Sequence, residues 1–127
     1  MMSRYKDWLR QAERNLRSAY VNLREGIYEE TCFESHQAAE KALKALLNYR
    51  HRERRGHSLV YLASEIDLVI PEDIRSCFTF LDKHYIPSRY PDVYDEGAPL
   101  DYYTEKDAIS CLECAKKIIG WVKEIVR

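Results

Sequence analysis

Two tyrosines and an arginine lie close together in the segment Tyr85–Asp92, which reads YIPSRYPD. Its two prolines prevent the segment from continuing a helix, because proline lacks the N–H donor that a helix interior needs. Arginine offers phosphate a planar fork of donors, and tyrosine offers a flat face on which a base can stack. Loops on a rigid scaffold often carry binding groups. We therefore predict that Tyr85, Arg89 and Tyr90 bind a phosphate-bearing ligand.

Arg89 also has a structural interpretation, an ion pair with Asp92 within the same loop. Further acidic residues follow at Asp95, Glu96 and Asp101. These carboxylates could hold Arg89 in place or repel phosphate until a partner docks, and the sequence leaves both alternatives open.

A polar stripe precedes this loop in the chain. Gln37, Lys41, Lys44 and Asn48 recur at helical spacing, and Glu40 can pair with Lys44 one turn away. The stripe is either an ordinary solvated helix face or a source of positive point charges for the same ligand. On the second interpretation Lys41 and Lys44 belong to the site.

The basic segment 50–57 ends in His57. Arg52 and His57 are separated by four residues, a spacing that arises easily by chance in so basic a segment. We expect His57 to be a turn or helix-start residue beside Ser58 rather than a general base.

The elements that must position these residues are helices, because glycine and proline are few and apolar residues recur every three or four positions. The chain is predicted to be all-α, an antiparallel up-and-down four-helix bundle with one extra short helix, in a single domain covering residues 1–127. The predicted helices run from a Ser3 cap to Gly26, from Glu29 to Arg50, from a Ser58 cap to Val69, from Pro71 to Pro87, and onward from a Thr104 cap with Asp107 in its first turn. The long connection from Pro87 to Tyr103 is expected to be irregular and functional.

Composition narrows the possible functions. A formal net charge of −1 over 127 residues argues against a protein that coats nucleic acid nonspecifically. No apolar run reaches the length needed to span a membrane, and we expect a cytoplasmic protein. The four cysteines are expected to remain thiols, and the CxxC of Cys111 and Cys114 to be structural. Because His36, His51 and His84 show no metal-ligand spacing, we predict no metal.

Three blocks of the sequence occur in the order seen in one known family. They are QAAEKALKALL beginning at Gln37, GHSL beginning at Gly56, and the Tyr85–Asp92 loop. With Trp8, Ala12 and the Gly26-Ile27-Tyr28 turn, they make nearly the whole chain resemble the HEPN family, the nucleotide-binding domain of higher eukaryotes and prokaryotes.

This resemblance implies a helical bundle that forms a homodimer, pairs with a minimal nucleotidyltransferase as a toxin–antitoxin component, and needs no cofactor. It implies nucleotide or RNA binding, with Lys41, Lys44, His57, Tyr85, Arg89 and Tyr90 as the site residues. The alternative is a metal-independent ribonuclease of the same family. Such ribonucleases carry an arginine followed, after four to six residues, by a histidine, and segment 90–98 contains no histidine after Arg89.

Overall fold

The computed structural model describes residues 3–127 as a bundle of helices. The elements in chain order are α1 (Tyr5–Arg24), α2 (Tyr28–Tyr49), α3 (Leu59–Ser64), α4 (Glu72–Asp82), a 3-10 turn (Pro91–Val93), α5 (Pro99–Tyr102) and α6 (Glu105–Val126). No strand occurs in the described part of the chain. The predicted all-α bundle is confirmed, with a second short helix, α5, inside the connection predicted to be irregular.

Helix α2 is the centre of the bundle. It packs extensively against α1 and α6 and touches α3, α4 and α5. Alanines at Ala38, Ala39, Ala42 and Ala45 are fully buried on α2, so that neighbouring helices approach its backbone closely. Because α2 meets every other helix, its polar residues that point between helices are positioned rigidly.

The residues that cap α3 and α6 are the ones predicted from the sequence. The side chain of Ser58 accepts a hydrogen bond from the Tyr61 N–H and caps α3. Thr104 and Asp107 form the predicted reciprocal pair at the start of α6, with the Asp107 carboxylate accepting from the Thr104 N–H at 2.9 Å. The predicted Ser3 cap of α1 was wrong, because the N-cap is Arg4 and the Ser3 hydroxyl donates instead to the carbonyl of Asn48 at 3.0 Å. The third helix was predicted too long, since α3 ends at Ser64 rather than near Val69.

The prediction that the fourth helix runs from Pro71 to Pro87 was wrong at both ends. Pro71 is the N-cap rather than the first helical residue, and the helix ends at Asp82. Residues 83–89 instead form consecutive turns, in which the Ser88 hydroxyl donates to the carbonyl of His84 at 2.6 Å. This early end separates His84 and Tyr85 from the helix that precedes them and lets their side chains point to different parts of the bundle.

The expectation of four free thiols was also wrong. Cys77 of α4 and Cys114 of α6 form a disulfide, while Cys32 and Cys111 remain free and buried. The CxxC is therefore divided, since Cys114 is bonded to another helix and Cys111 is not. The disulfide fastens α4 to α6, two helices that already pack against each other.

Candidate functional site

Arg89 lies among three aromatic rings. Its guanidinium carbon is 4.3 Å from the ring centre of Tyr85, 4.7 Å from that of Phe33 and 4.8 Å from that of Tyr90. The Nε–H donates to the carbonyl of Tyr85 at 2.9 Å, and Nη1 donates to the hydroxyl of Tyr90 at 3.3 Å. The π faces attract the cation without neutralising it, so the guanidinium is held in place while keeping its charge. We call Phe33, Tyr85, Arg89 and Tyr90, together with His57, the aromatic–arginine cluster.

Within residues 3–127, no carboxylate oxygen lies within ion-pairing distance of Arg89. The interpretation that pairs Arg89 with Asp92 is therefore wrong. Glu30 is an acidic group that interacts electrostatically with Arg89. Burial and the neighbouring Glu29 and Glu34 raise the pKa of Glu30, and the positive charge of Arg89 opposes that increase.

His57 joins the cluster from the turn before α3. Its imidazole stacks on the ring of Tyr85, with ring centres 5.2 Å apart and planes 19° from parallel. Its Nδ1 lies 3.0 Å from Oε1 of Glu40. The His57 side chain is 57% exposed whereas that of Glu40 is 4% exposed, so an inner carboxylate orients an outer imidazole. Gly56, at a φ of 105°, provides the reversal that brings His57 back over α2.

Glu40 also holds Lys44. The two side chains meet at 3.0 Å across one turn of α2, as predicted, and Lys44 Nζ lies 5.5 Å from the centre of the Trp8 ring. Because Lys44 is only 12% exposed, this part of the stripe is not a solvated face. Lys41 is separate from the cluster, since its ammonium donates to the side chain of Asn15 on α1 at 2.7 Å.

The structure thus brings together four of the six predicted site residues: His57, Tyr85, Arg89 and Tyr90. Lys44 connects to them through Glu40, and Lys41 does not. The Arg52 and His57 spacing does not form a unit, because Arg52 donates to the carbonyl of Glu65 at 3.0 Å while His57 contacts Glu40 and Tyr85.

The sequence analysis did not predict that His36 and Asp82 pack together behind Tyr85. The buried ring of His36 lies 4.8 Å from that of Tyr85, and its Nε2 lies 2.9 Å from Oδ1 of Asp82. Asp82 also accepts from the backbone N–H groups of Leu59 and Val60, at 2.9 and 3.1 Å. Partial burial pushes the pKa of Asp82 upward, but these hydrogen bonds outweigh burial and leave the pKa below its ordinary value. A sequence signal existed, because His36, Glu40 and Lys44 recur every four residues along one helix face.

A second group of polar side chains lies within the core. Ligand-capable atoms of Cys32, His84 and Cys111 all lie within 4.8 Å of one another. The Cys32 thiol is 3.5 Å from the carbonyl of Asp107, and Nδ1 of His84 is 2.8 Å from the hydroxyl of Tyr103. We call Cys32, His84 and Cys111 the thiol–imidazole cluster. The spacing argument missed it because its three members are far apart in sequence.

The aromatic–arginine cluster can bind a phosphate through Arg89 and stack a flat ring on Tyr90, which is exposed. The chain belongs to the HEPN domain family, whose model matches residues 5–125. No helix among residues 3–127 combines the length and the apolarity needed to cross a membrane.

Three solved structures are similar to the chain over nearly its whole length. TT1696 from Thermus thermophilus is 42% identical, with 97% of this chain and 98% of that one covered, at a TM-score of 0.93. ST0689, an archaeal HEPN homologue, is 52% identical, with coverage of 99% and 100%, at a TM-score of 0.84. The HEPN domain protein tm0613 from Thermotoga maritima is 29% identical, with coverage of 94% and 97%, at a TM-score of 0.78.

One curated relative, from Methanocaldococcus jannaschii, is named "Putative toxin MJ1304". It is 28% identical over 133 residues, which cover 96% of this chain and 88% of the relative.

Proposed function

We propose that this chain is a nucleotide- or RNA-binding HEPN module that forms a homodimer and pairs with a minimal nucleotidyltransferase as one component of a toxin–antitoxin system. The name of the Methanocaldococcus jannaschii relative supports the toxin part of this proposal. The sequence resemblance to HEPN proteins encoded beside nucleotidyltransferases supports the partner.

The observation that carries the binding role is the state of Arg89. A guanidinium has five N–H donors, and two are used here, by the Tyr85 carbonyl and the Tyr90 hydroxyl. Three donors remain, on a cation that aromatic rings hold and that has no carboxylate of residues 3–127 within ion-pairing distance. A charge held in place but left unpaired is suited to a phosphate oxygen.

The neighbours of Arg89 favour a ligand with unpaired bases. Tyr90 and His57 are both exposed, and their rings can stack on bases that a duplex would hide. The net charge of −1 confines attraction for a polyanion to this local region. Single-stranded RNA or a free nucleotide fits these conditions better than a duplex.

The test is a fluorescence anisotropy titration of the purified protein with a labelled single-stranded RNA and with the same strand annealed to its complement. Unlabelled nucleoside monophosphate serves as the competitor. We expect the single strand to bind more tightly than the duplex and the nucleotide to displace it. Equal affinity for both forms would contradict base stacking, and the absence of binding to any of the three at millimolar concentration would contradict the proposal.

Assembly is tested separately. Large apolar side chains are exposed around the cluster, at Ile86, Tyr90 and Val93, and burying them between two copies would stabilise a dimer. Light scattering at micromolar concentration should give about twice 15.1 kDa. A monomer at every concentration would contradict the dimer.

Failure of the chain to co-purify with a nucleotidyltransferase encoded by an adjacent gene would contradict the pairing.

A ribonuclease is the second candidate, and one contact favours it. His57 and Arg89 come from distant segments yet both contact Tyr85. When Nδ1 of His57 donates to Glu40, Nε2 carries the lone pair that a general base needs. His57 would then take the proton of a 2′-hydroxyl, whose oxygen attacks phosphorus to form a 2′,3′-cyclic phosphate, while Arg89 stabilises the charge on the phosphate. The 5′-oxygen leaves as a hydroxyl after taking a proton from solvent.

A cleavage assay separates the two candidates. Single-stranded RNA is incubated with the protein in excess chelator, beside His57→Ala and Arg89→Ala variants. For a binding module we expect cleavage at background in every sample, since general acid–base catalysis typically contributes about a hundredfold to ten-thousandfold. Robust cleavage that both substitutions abolish would establish the ribonuclease instead.

A further inference from the structure

We propose that the thiol–imidazole cluster is a binding site for one zinc ion, independent of the aromatic–arginine cluster. Its donors come from three parts of the fold: Cys32 from α2, His84 from the turns after α4, and Cys111 from α6. An ion bound there would therefore join the central helix α2 to α6 and to the turns after α4.

The donor set matches zinc. Two cysteine sulfurs and one imidazole are soft and borderline ligands, which zinc prefers over the oxygen ligands chosen by magnesium or calcium. At metal–ligand bonds of about 2.3 Å to sulfur and about 2.0 Å to nitrogen, tetrahedral geometry places the ligand atoms roughly 3.5 to 3.8 Å apart. The atoms already lie within 4.8 Å of one another, so side-chain movements of about 1 Å would bring all three onto one ion. A water molecule would take the fourth tetrahedral position, as in other zinc sites with three protein ligands.

Charge balance also favours a divalent ion. Cys32 and Cys111 are both fully buried, and burying a lone ion in the core is strongly unfavourable. Two thiolates carry two negative charges, which a divalent cation neutralises, so the occupied site adds no net charge to the core. The two protons released from the thiols pass to solvent.

A neighbouring group prepares the imidazole. The hydroxyl of Tyr103, just before the cap of α6, lies 2.8 Å from Nδ1 of His84, and the two rings pack edge to face with centres 5.4 Å apart. With Nδ1 hydrogen-bonded to Tyr103, Nε2 would be the nitrogen that binds the ion. Metal-binding histidines generally have such an outer partner on the other ring nitrogen, which fixes the orientation of the ring. Tyr103 is thus a positioning residue for the proposed site.

The disulfide provides an internal control. Cys77 and Cys114 are bonded to each other and so cannot serve as thiolate ligands, although Cys114 is only three residues from Cys111. Substitutions at the two cysteine pairs should therefore have different consequences for metal binding.

The test uses cobalt as a spectroscopic substitute for zinc. The full chain is stripped with chelator, dialysed under inert gas into buffer without reductant, so that Cys32 and Cys111 stay reduced and the Cys77–Cys114 disulfide stays intact, and titrated with Co²⁺. We expect one Co²⁺ per chain, a thiolate-to-cobalt charge-transfer band in the near ultraviolet, visible bands of tetrahedral coordination, and displacement of all of them by Zn²⁺.

Variants decide whether the ion binds where proposed. Cys32→Ser and Cys111→Ser should weaken Co²⁺ binding by at least about a hundredfold, since loss of an outer partner alone typically weakens it about ten- to a hundredfold. The double variant Cys77→Ser with Cys114→Ser, which leaves Cys32 and Cys111 as the only thiols, should retain the bands. Circular dichroism confirms that each variant is folded, and zinc should raise the melting temperature of the wild type but not of Cys111→Ser. Absence of the charge-transfer band in the folded, reduced wild type, or its persistence in Cys111→Ser, would overturn the proposal.

Discussion

Neighbouring residues in this chain supply two clusters of opposite character. Phe33 and Tyr85 contact Arg89, whereas the residues directly before them, Cys32 and His84, belong to the thiol–imidazole cluster. The aromatic–arginine cluster is partly exposed and carries a permanent positive charge. The thiol–imidazole cluster is more deeply buried, since Cys32 and Cys111 are fully buried and His84 is partly buried.

The difference shows how one scaffold can hold two kinds of polar group. Beside the aromatic–arginine cluster, the Glu40 carboxylate pairs with the Lys44 ammonium, and the Asp82 carboxylate lies within hydrogen-bond distance of His36. In the core, thiols and an imidazole use weak hydrogen bonds to the Asp107 carbonyl and the Tyr103 hydroxyl. Removing a charged side chain beside the aromatic–arginine cluster should therefore lower the free energy of unfolding more than removing a thiol from the thiol–imidazole cluster.

The largest expected effect is that of Glu40→Gln. This carboxylate is 4% exposed and contacts both Lys44 and His57, so its neutralisation leaves a buried ammonium without a counter-charge. Breaking such a pair costs about 3 to 5 kcal/mol of unfolding free energy, measured by urea denaturation. The control is Glu13→Gln, which removes an exposed pair with Lys123 and should cost less than about 1 kcal/mol. Equal losses would show that Glu40 is not an inner support of the site.

Cys77→Ser tests the framework around the thiol–imidazole cluster. The disulfide joins residues 37 positions apart and ties α4 to α6. Its loss should lower the free energy of unfolding by about 2 to 4 kcal/mol, because the unfolded chain gains freedom. RNA binding should change by less than about twofold, since the aromatic–arginine cluster does not depend on the disulfide. A parallel loss of RNA binding would mean that the two clusters are coupled.

Asp82→Asn gives a smaller effect with a defined pH dependence. In the unfolded chain the pKa of an aspartate is about 3.9, and in the folded protein that of Asp82 is lower. Its contribution is therefore complete above about pH 4 and is lost as the pH falls through the folded-state pKa. We expect the variant to be less stable by about 1 to 2 kcal/mol at pH 7, as for the loss of a helix cap.

The stability difference between Asp82→Asn and the wild type should shrink progressively in acid. Asp7→Asn is the control, because Asp7 pairs with Arg4 and Arg10 on an exposed surface, and it should change stability by less than about 1 kcal/mol at any pH. A difference for Asp82→Asn that stays constant down to pH 2 would contradict the assignment of its lowered pKa.

The sequence was sufficient for the features that depend on local pattern. Helical periodicity predicted the bundle, and the Ser58 and Thr104 caps were found because capping is decided within four residues. The grouping of Tyr85, Arg89 and Tyr90 followed from their proximity in one loop. The placement of His57 beside them came only from the family resemblance, since its contact with Tyr85 crosses 28 positions.

The features that were missed depend on long-range packing. The hydrogen bond between His36 and Asp82 crosses 46 positions, and that between Cys32 and the Asp107 carbonyl crosses 75. The end of α4 at Asp82 was also missed, because apolar spacing continues through Tyr85, whereas the helix ends at the residue whose side chain accepts from the Leu59 N–H at the start of α3. Periodicity indicates which residues face the core but not which of them meet there.

The measurement that tests the central claim most directly is the affinity of single-stranded RNA for Arg89→Ala, Arg89→Lys and Arg24→Ala. Arg24 is the matched control, because its guanidinium also lies over a tyrosine, 5.9 Å from the ring centre of Tyr20, but outside the cluster. Loss of the Arg89 fork should weaken binding by about 1.5 to 3 kcal/mol, roughly ten- to a hundredfold, with a smaller loss for lysine and almost none for Arg24→Ala. Wild-type affinity in Arg89→Ala, or a loss that matches its loss of folding stability, would contradict the assignment of Arg89 as the phosphate-binding residue.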